Sequence, residues 1–338
     1  MNKKKILIFS FSRIGDVVLS TAVISPLREH FPDSEISILT GKGSSDMLWG
    51  DPRISEIITY DNKGLHKGFS GRIRLIKELR ARKFGLIIDL RDSFWSRLIG
   101  GAHWGANPLL KLNPEYGKMH AVDRYLDILR VNGLKVVHSA PEIPISIFEK
   151  EQAREFLLRK NVKKDDVVIG IHPGGSWQYK LWPLKKFAAL GDMMVQKYNA
   201  RLLVFAGPDE TYLQLKMSEL MKSSPIIIKG VSLRELAAII QKCRIYIGND
   251  TGPMHIAAAV GARVVSIFGS TDARRSGPYG NGHIIVSKKI PCSPCHPGRH
   301  PGGCDRETCA AMDSIPLEQV SQVVERILDG NKETYISC

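Results

Sequence analysis

Short apolar runs alternate with amphipathic stretches along the whole chain, and the alternation begins twice. In the first half, KKKILIFSF reads as a strand and VVLSTAVISPLREHF as the helix after it. EISILT, EIITY and GLIIDL read as further strands, with a basic helix over Arg72 to Arg82 before the last. HAVDRYLDILRVNG is an amphipathic helix stopped by Gly133. The pattern then pauses in proline and charge, PEIPISIFEKEQAREFLLRKNVKKDD, which reads as a linker. In the second half VVIGIH, RLLVFAG, PIIIKG, RIYIGN and RVVSIFG read as strands. LKKFAALGDMMVQKY, PDETYLQLKMSELM, SLRELAAIIQKC, IAAAVGA and PLEQVSQVVERIL read as the helices between and after them. Such alternation calls for α/β domains with parallel sheets covered on both faces. At 338 residues the chain exceeds one ordinary domain, so two are expected, 1–150 and 151–338. The final helix is a candidate to pack back on the first domain.

The apolar share of 43% with 24% charged residues is that of a soluble globular protein. No apolar run approaches the ~20 residues of a membrane helix. The start, MNKKKILIFSFSRIGD, mimics a signal peptide, but the run is short, no cleavage site follows, and Arg13 and Asp16 interrupt it. A cytoplasmic protein is therefore expected. The net charge of +14 favours anionic partners. Without an Arg-rich recognition helix, a ribonucleoprotein motif or zinc-finger spacing, nucleic acid is not among them. A solvated helix face accounts for GRIRLIKELRARK alone, whereas the excess over the whole chain points to an anionic surface or substrate.

Four of the six cysteines, Cys292, Cys295, Cys304 and Cys309, share the segment PCSPCHPGRHPGGCDRETC. Four thiolates suit tetrahedral metal coordination, although the separation is shorter than in a zinc ribbon. A reducing compartment disfavours disulfides. A metal or redox-sensitive structure and a plain reduced surface loop both remain open.

Three strand ends carry unusual residues, where ligands of parallel α/β sheets bind. In FSFSRIGDVVLS, Gly15 permits a tight turn and Asp16 sits near a helix start, as a cap or as a reactive acid. In IGIHPGGSWQYKLWPLKKF, Pro-Gly-Gly-Ser brings backbone N–H groups together around an anion, and Lys180 follows. In IGNDTGPMH, the acid, hydroxyl, glycine and histidine precede a helix whose N-terminus suits phosphate. AGPDE adds an acid after another strand, placed to accept from ribose hydroxyls. Neither the dinucleotide fingerprint nor the Walker ending is present.

Together these segments resemble glycosyltransferase family 9, the ADP-heptose:lipopolysaccharide heptosyltransferases. The resemblance runs from FSRIGDVVLSTAVISPLRE through HAVDRYLDIL and HPGGSWQYKLWP to GNDTGPMHIAAAVGARVVSIFGSTD. It implies a GT-B fold, two Rossmann-like domains facing across a cleft, the first for acceptor and the second for donor. It further implies an inverting transfer of heptose from ADP-heptose to the lipopolysaccharide inner core, without cofactor or metal. Asp16 becomes the catalytic base and Lys180 the diphosphate ligand, with Gly175 and Ser176 beside it. The family commonly has hydroxyl residues where this chain has Gly174-Gly175. Glu210 takes the ribose, Gly230-Val231 the adenine, and Asp250, Thr251, Gly252 and His255 the heptose and phosphate. Arg13, His120 and Arg124 are the acceptor-binding candidates. A monomer attached peripherally to the inner face of the inner membrane is expected.

The chemistry agrees on its own terms. A sugar hydroxyl is a poor nucleophile near neutral pH, so a positioned carboxylate must take its proton. The departing nucleoside diphosphate gains charge that a lysine and a helix N-terminus can stabilise. A family member that uses another nucleotide-sugar donor, or a nucleotide-sugar-binding protein without transfer, is the alternative. A dinucleotide oxidoreductase shares the alternation but lacks its fingerprint.

Overall fold

The computed structural model describes residues 3–106, 108–112, 114–295, 304 and 306–330. The chain divides into two compact units, Met1–Pro144 and Ile145–Cys338.

The first unit contains β1 (Lys5–Phe9), α1 (Ile14–Ser20), α2 (Ile24–His30), β2 (Glu35–Gly41) and β3 (Glu56–Tyr60). It continues with α3 (Gly68–Ala81), β4 (Leu86–Asp89), β5 (Ala102–Trp104), α4 (Pro108–Lys111) and α5 (Ala121–Arg130). Five parallel strands run in the order β3-β2-β1-β4-β5. Ile6, Leu7 and Ile8 of the central strand are fully buried, as a strand covered on both faces requires. Because the chain leaves β1 for β2 and later returns to β4, the topological switch point lies between β1 and β4.

The stretch read as one helix from Val17 to Phe31 is two helices separated by a turn at Thr21–Val23. Pro26 has no N–H to give the carbonyl of Ala22 and its ring crowds that carbonyl. The Ala22 oxygen instead accepts from Ser139 Oγ at 2.7 Å. Ser20 and Thr21 hydroxyls bond back to the carbonyls of Val17 and Val18, which loosens the turn further.

The second unit contains α6 (Ile147–Arg159), β6 (Val168–His172), α7 (Leu184–Tyr198), β7 (Arg201–Phe205), α8 (Thr211–Leu220), β8 (Ile226–Ile228) and α9 (Leu233–Ile240). Then come β9 (Ile245–Asn249), α10 (Gly252–Ala259), β10 (Arg263–Phe268), α11 (Ala273–Ser276), β11 (Ile284–Ser287), α12 (Ala310–Ser314) and α13 (Leu317–Leu328). Six parallel strands run β11-β10-β9-β6-β7-β8, which puts the switch point between β6 and β9.

One expectation changes here. The supposed linker is largely helical: Ser146 and Glu149 form a reciprocal capping box that starts α6. Arg234 of α9 holds Glu149 through two bonds of 2.7 Å, so α6 belongs to the second unit and the division falls at Pro144. The last helix packs within the second unit. Val320, Val324 and Ile327 of α13 join Phe187, Leu190 and Met194 of α7 in the second core.

Candidate active site

In the second unit the chemistry-bearing residues gather at the carboxyl ends of β6, β7, β9 and β10. Asn249, at the end of β9, is fully buried. Its amide nitrogen donates to the carbonyls of Pro173 (2.9 Å) and Gly174 (3.1 Å), and its oxygen accepts the Trp182 N–H at 3.1 Å. One side chain thus fixes both the Pro-Gly-Gly loop after β6 and the segment that carries Lys180. Trp182 anchors that segment from below, buried edge-on against Phe187 with its ring N–H on the Ile315 carbonyl. Lys180 is held over the end of β9, its Nζ 2.7 Å from Oδ2 of Asp250. Asp250 is 7% exposed, so the pair is shielded from bulk water on the acid's side.

Glu210 does more than sequence reasoning assigned to it. Its Oε1 accepts the Gly175 N–H at 2.6 Å, and its Oε2 accepts the Gly207 N–H at 2.9 Å. His172 Nε2 lies 3.3 Å from the same Oε2. The hydrogen bond from His172, with those from Gly207 and Gly175, outweighs burial and lowers the carboxyl to about 2. Glu210 is therefore a carboxylate that clamps the loop after β6 to the turn after β7. Gly174 is required by that clamp, because a Cβ there would stand 2.3 Å from Oε2 of Glu210. The clamp thus accounts for a glycine at position 174.

Thr251 is the N-cap residue of α10, yet its side chain makes no capping bond. Its Oγ1 interacts with the buried Tyr246 hydroxyl, while the hydroxyls of Ser270 and Thr271 just past β10 are buried without a hydrogen-bond partner among the described residues. Buried hydroxyls are ordinarily paired, so two of them side by side at the carboxyl end of β10 make this a candidate seat for a polar ligand. Gly175 packs against Thr251, where a Cβ would come within 3.2 Å of the Thr251 methyl. Gly252 opens α10 and His255 lies buried one turn further on. Ser176 is exposed on the loop, and Val231 is half-buried between Gly230 and the Ser232 cap of α9.

In the first unit Asp16 lies in the first turn of α1, partly buried. It is not the cap: Arg13, exposed, holds that position without a side-chain capping bond, and Gly15 lies within the helix. His120 caps α5 by accepting the Val122 N–H on Nδ1 at 3.1 Å. Arg124 sits one turn on, its Nε buried and unpartnered among the described residues. Tyr125, which sequence reasoning missed, packs on Phe11 with ring centroids 5.4 Å apart. Burial raises its phenol well above the ordinary range, and the Asp16 charge raises it further. The Tyr125 phenol and the Asp16 carboxyl thus interact electrostatically. At the other side of this switch point, buried Asp89 accepts from the N–H groups of Arg91 and Ser93 and from Ser96 Oγ.

The cysteine segment lies partly outside the described residues, at 296–303 and 305. Cys243, Cys292, Cys295, Cys304 and Cys309 are free thiols. Burial and then the neighbouring Cys309 push the Cys295 thiol up, toward its protonated form. Among the described residues no group of three or more His, Cys, Asp or Glu converges on a metal position. The segment buttresses the site: Tyr179, next to Lys180, donates to the Cys304 carbonyl at 3.2 Å. Ser293 Oγ and the Cys295 N–H bond to the carbonyls of Gly269 and Ser270.

The model of glycosyltransferase family 9 (heptosyltransferase) matches residues 72–301. Lipopolysaccharide heptosyltransferase 3 of Escherichia coli K12 is 30% identical over 281 residues, covering 76% of this chain and 80% of the relative. A family 9 glycosyltransferase structure from Veillonella parvula superposes with a TM-score of 0.82 at 24% identity, over 97% of this chain and 98% of that one. E. coli ADP-heptose lps heptosyltransferase II gives 0.77 at 17% identity, over 97% and 100%. The GT-B fold is therefore shared along the chain.

Proposed function

The chain belongs to glycosyltransferase family 9, and from that premise we propose that it transfers heptose from ADP-heptose to a lipopolysaccharide inner-core acceptor. The observation that carries the donor half of this reading is the Lys180–Asp250 pair of 2.7 Å at the switch point beside α10. The second unit takes the donor. Lys180 and the N–H groups at the start of α10 meet the diphosphate, while Asp250 accepts from sugar hydroxyls and keeps Lys180 aimed. Thr251, Gly252 and His255 line the phosphate and heptose. Gly175 and Ser176 flank the diphosphate, and Glu210 orients their loop and meets the ribose. Gly230 and Val231 face the adenine.

The first unit takes the acceptor, with Arg13, His120 and Arg124 as its anion and hydroxyl contacts. Asp16 removes the proton of the acceptor hydroxyl as that oxygen bonds to the anomeric carbon. The bond from that carbon to the diphosphate oxygen breaks, and ADP leaves with the electron pair, stabilised by Lys180. Attack opposite the leaving group inverts the anomeric centre. No metal enters this scheme, and the protein acts as a monomer attached peripherally to the membrane's inner face. Among the described residues no helix is long and apolar enough to cross a membrane.

The test is a panel of nucleotide sugars assayed with delipidated core acceptors of increasing length, with and without chelator. Transfer from ADP-heptose, resistant to chelator and with an inverted product, is expected. Preference for another nucleotide sugar would replace the donor, and ADP-heptose binding without transfer to any acceptor would reduce the protein to a binder.

A further inference from the structure

The first unit carries an apolar patch that the transfer chemistry leaves unused. Phe69 at the start of α3 is 70% exposed, and Phe94 on the turn after β4 is 69% exposed. Trp95 joins them, edge-on to both, with centroids 5.7 Å from Phe69 and 6.3 Å from Phe94. Leu98 and Ile73 extend the exposed apolar surface. The turn is rigidly mounted, because Asp89 beneath it holds the Ser93 N–H and the Ser96 hydroxyl at 2.7 Å each. Large aromatic side chains held rigidly in water mark an interaction surface.

Basic groups rim the patch. Between Lys63 and Arg97 lie ten Lys and Arg against three Asp and Glu, half of the whole chain's net charge of +14. The Arg72 guanidinium lies 5.7 Å from the Trp95 ring centre, and Arg80 donates to the Leu98 carbonyl. Lys67, Arg74, Lys77 and Arg97 are exposed around them. The acids of the segment are engaged: Asp89 is buried, Asp92 is paired with Lys111, and Glu78 lies 3.5 Å from His66. Aromatic rings that seat at the headgroup level within a field of fixed cations match one kind of surface, an anionic bilayer.

We propose that Phe69, Phe94, Trp95 and Leu98, with Arg72, Arg80 and Arg97, form the face by which this protein docks on anionic phospholipid membranes. The aromatic side chains enter the interface and the guanidinium groups meet lipid phosphates. This inference rests on the peripheral attachment proposed above and names the face that makes it; vesicle binding and heptose transfer are measured separately, so either can fail alone.

The experiment uses the full chain with vesicles of phosphatidylcholine alone or mixed with phosphatidylglycerol, at low and high salt, read by cosedimentation. Quenching of Trp fluorescence by brominated acyl chains reports insertion. The wild type is expected to bind the anionic vesicles, less so at high salt, and to leave neutral ones in solution. Phe69→Ser with Phe94→Ser should weaken binding about tenfold. Arg72→Gln with Arg97→Gln should weaken it about fivefold per charge and flatten the salt dependence. Trp95→Phe should remove most of the quenching. The Phe and Arg double variants should unfold at the wild-type midpoint, since those side chains project into water, and Trp95→Phe keeps an aromatic ring in its partly buried place against the core. Equal binding of wild type to neutral vesicles, binding unchanged in both double variants, or a patch variant that alters only self-association in sedimentation would overturn the proposal.

Discussion

Gly174 and Glu210 fit only as a pair: a Cβ on the glycine would lie 2.3 Å from the carboxylate oxygen that also holds Gly207 and His172. Gly174→Ala must therefore displace the clamp between the loops after β6 and β7. The expected loss is about 1–3 kcal/mol, the usual range for overpacking a tight site. In a Glu210→Ala background the same change should cost far less. A double-mutant cycle in urea checks this, and additive effects would show that the two residues do not depend on each other.

The clamp also has a pH signature. The folded carboxyl of Glu210 titrates at about 2, below its ordinary value of 4.5. A lowered acid stabilises the fold in full above the unfolded value, and this contribution fades as pH falls from there through the folded value. The stability advantage of wild type over Glu210→Gln should thus be constant near neutrality and shrink between about pH 4.5 and 2. Denaturation of both proteins at three pH values measures it; a gap that widens on acidification would contradict the assignment.

Asn249 and Asp250 are adjacent in sequence but should behave differently. Asn249→Ala strips partners from the Trp182 N–H and from the Pro173 and Gly174 carbonyls at a fully buried place. Stability should fall by about 2–3 kcal/mol, along with donor affinity. Asp250→Ala leaves Lys180 free to turn toward water, so the unfolding midpoint should hardly move while affinity for ADP-heptose falls. Calorimetry and denaturation on the same samples separate a scaffold residue from a ligand contact, and equal stability losses would erase the distinction.

The sequence made the central strands legible because parallel strands covered on both faces must be almost wholly apolar, as Ile6–Ile8 and Ile245–Ile247 are. Helix α7 was legible to the residue, since its buried positions Phe187, Leu190 and Met194 recur at helical spacing. Helix α6 was not, because it buries only Ala153 and Leu157 and sits in a charged stretch that reads as linker. Its signal was the Ser146–Glu149 capping box. Strand β5 is three residues long and half-exposed, which leaves no run to detect. At the site, single strand ends stood out, but their pairing did not. Lys180 and Asp250 lie 70 positions apart, and Asn249 reads as an ordinary turn residue until its three bonds are seen. His172 and Tyr125 were hidden for a similar reason, one ending a buried strand and the other filling a helix's apolar face.

The division of labour between Asp16 and Lys180 is the centre of this account, and one pair of variants tests it. Asp16→Asn keeps the shape of the side chain in the first turn of α1 but removes the carboxylate proposed as base. Affinity for ADP-heptose should stay near wild type while the single-turnover rate falls by ~10²–10⁴. Lys180→Ala should lose both affinity and rate, because its charge meets phosphate before the reaction and more charge during it. The decisive measurement is the single-turnover rate of Asp16→Asn at saturating donor and acceptor. A fall of that size with donor binding intact is the predicted result; wild-type turnover would place the base elsewhere and contradict the account.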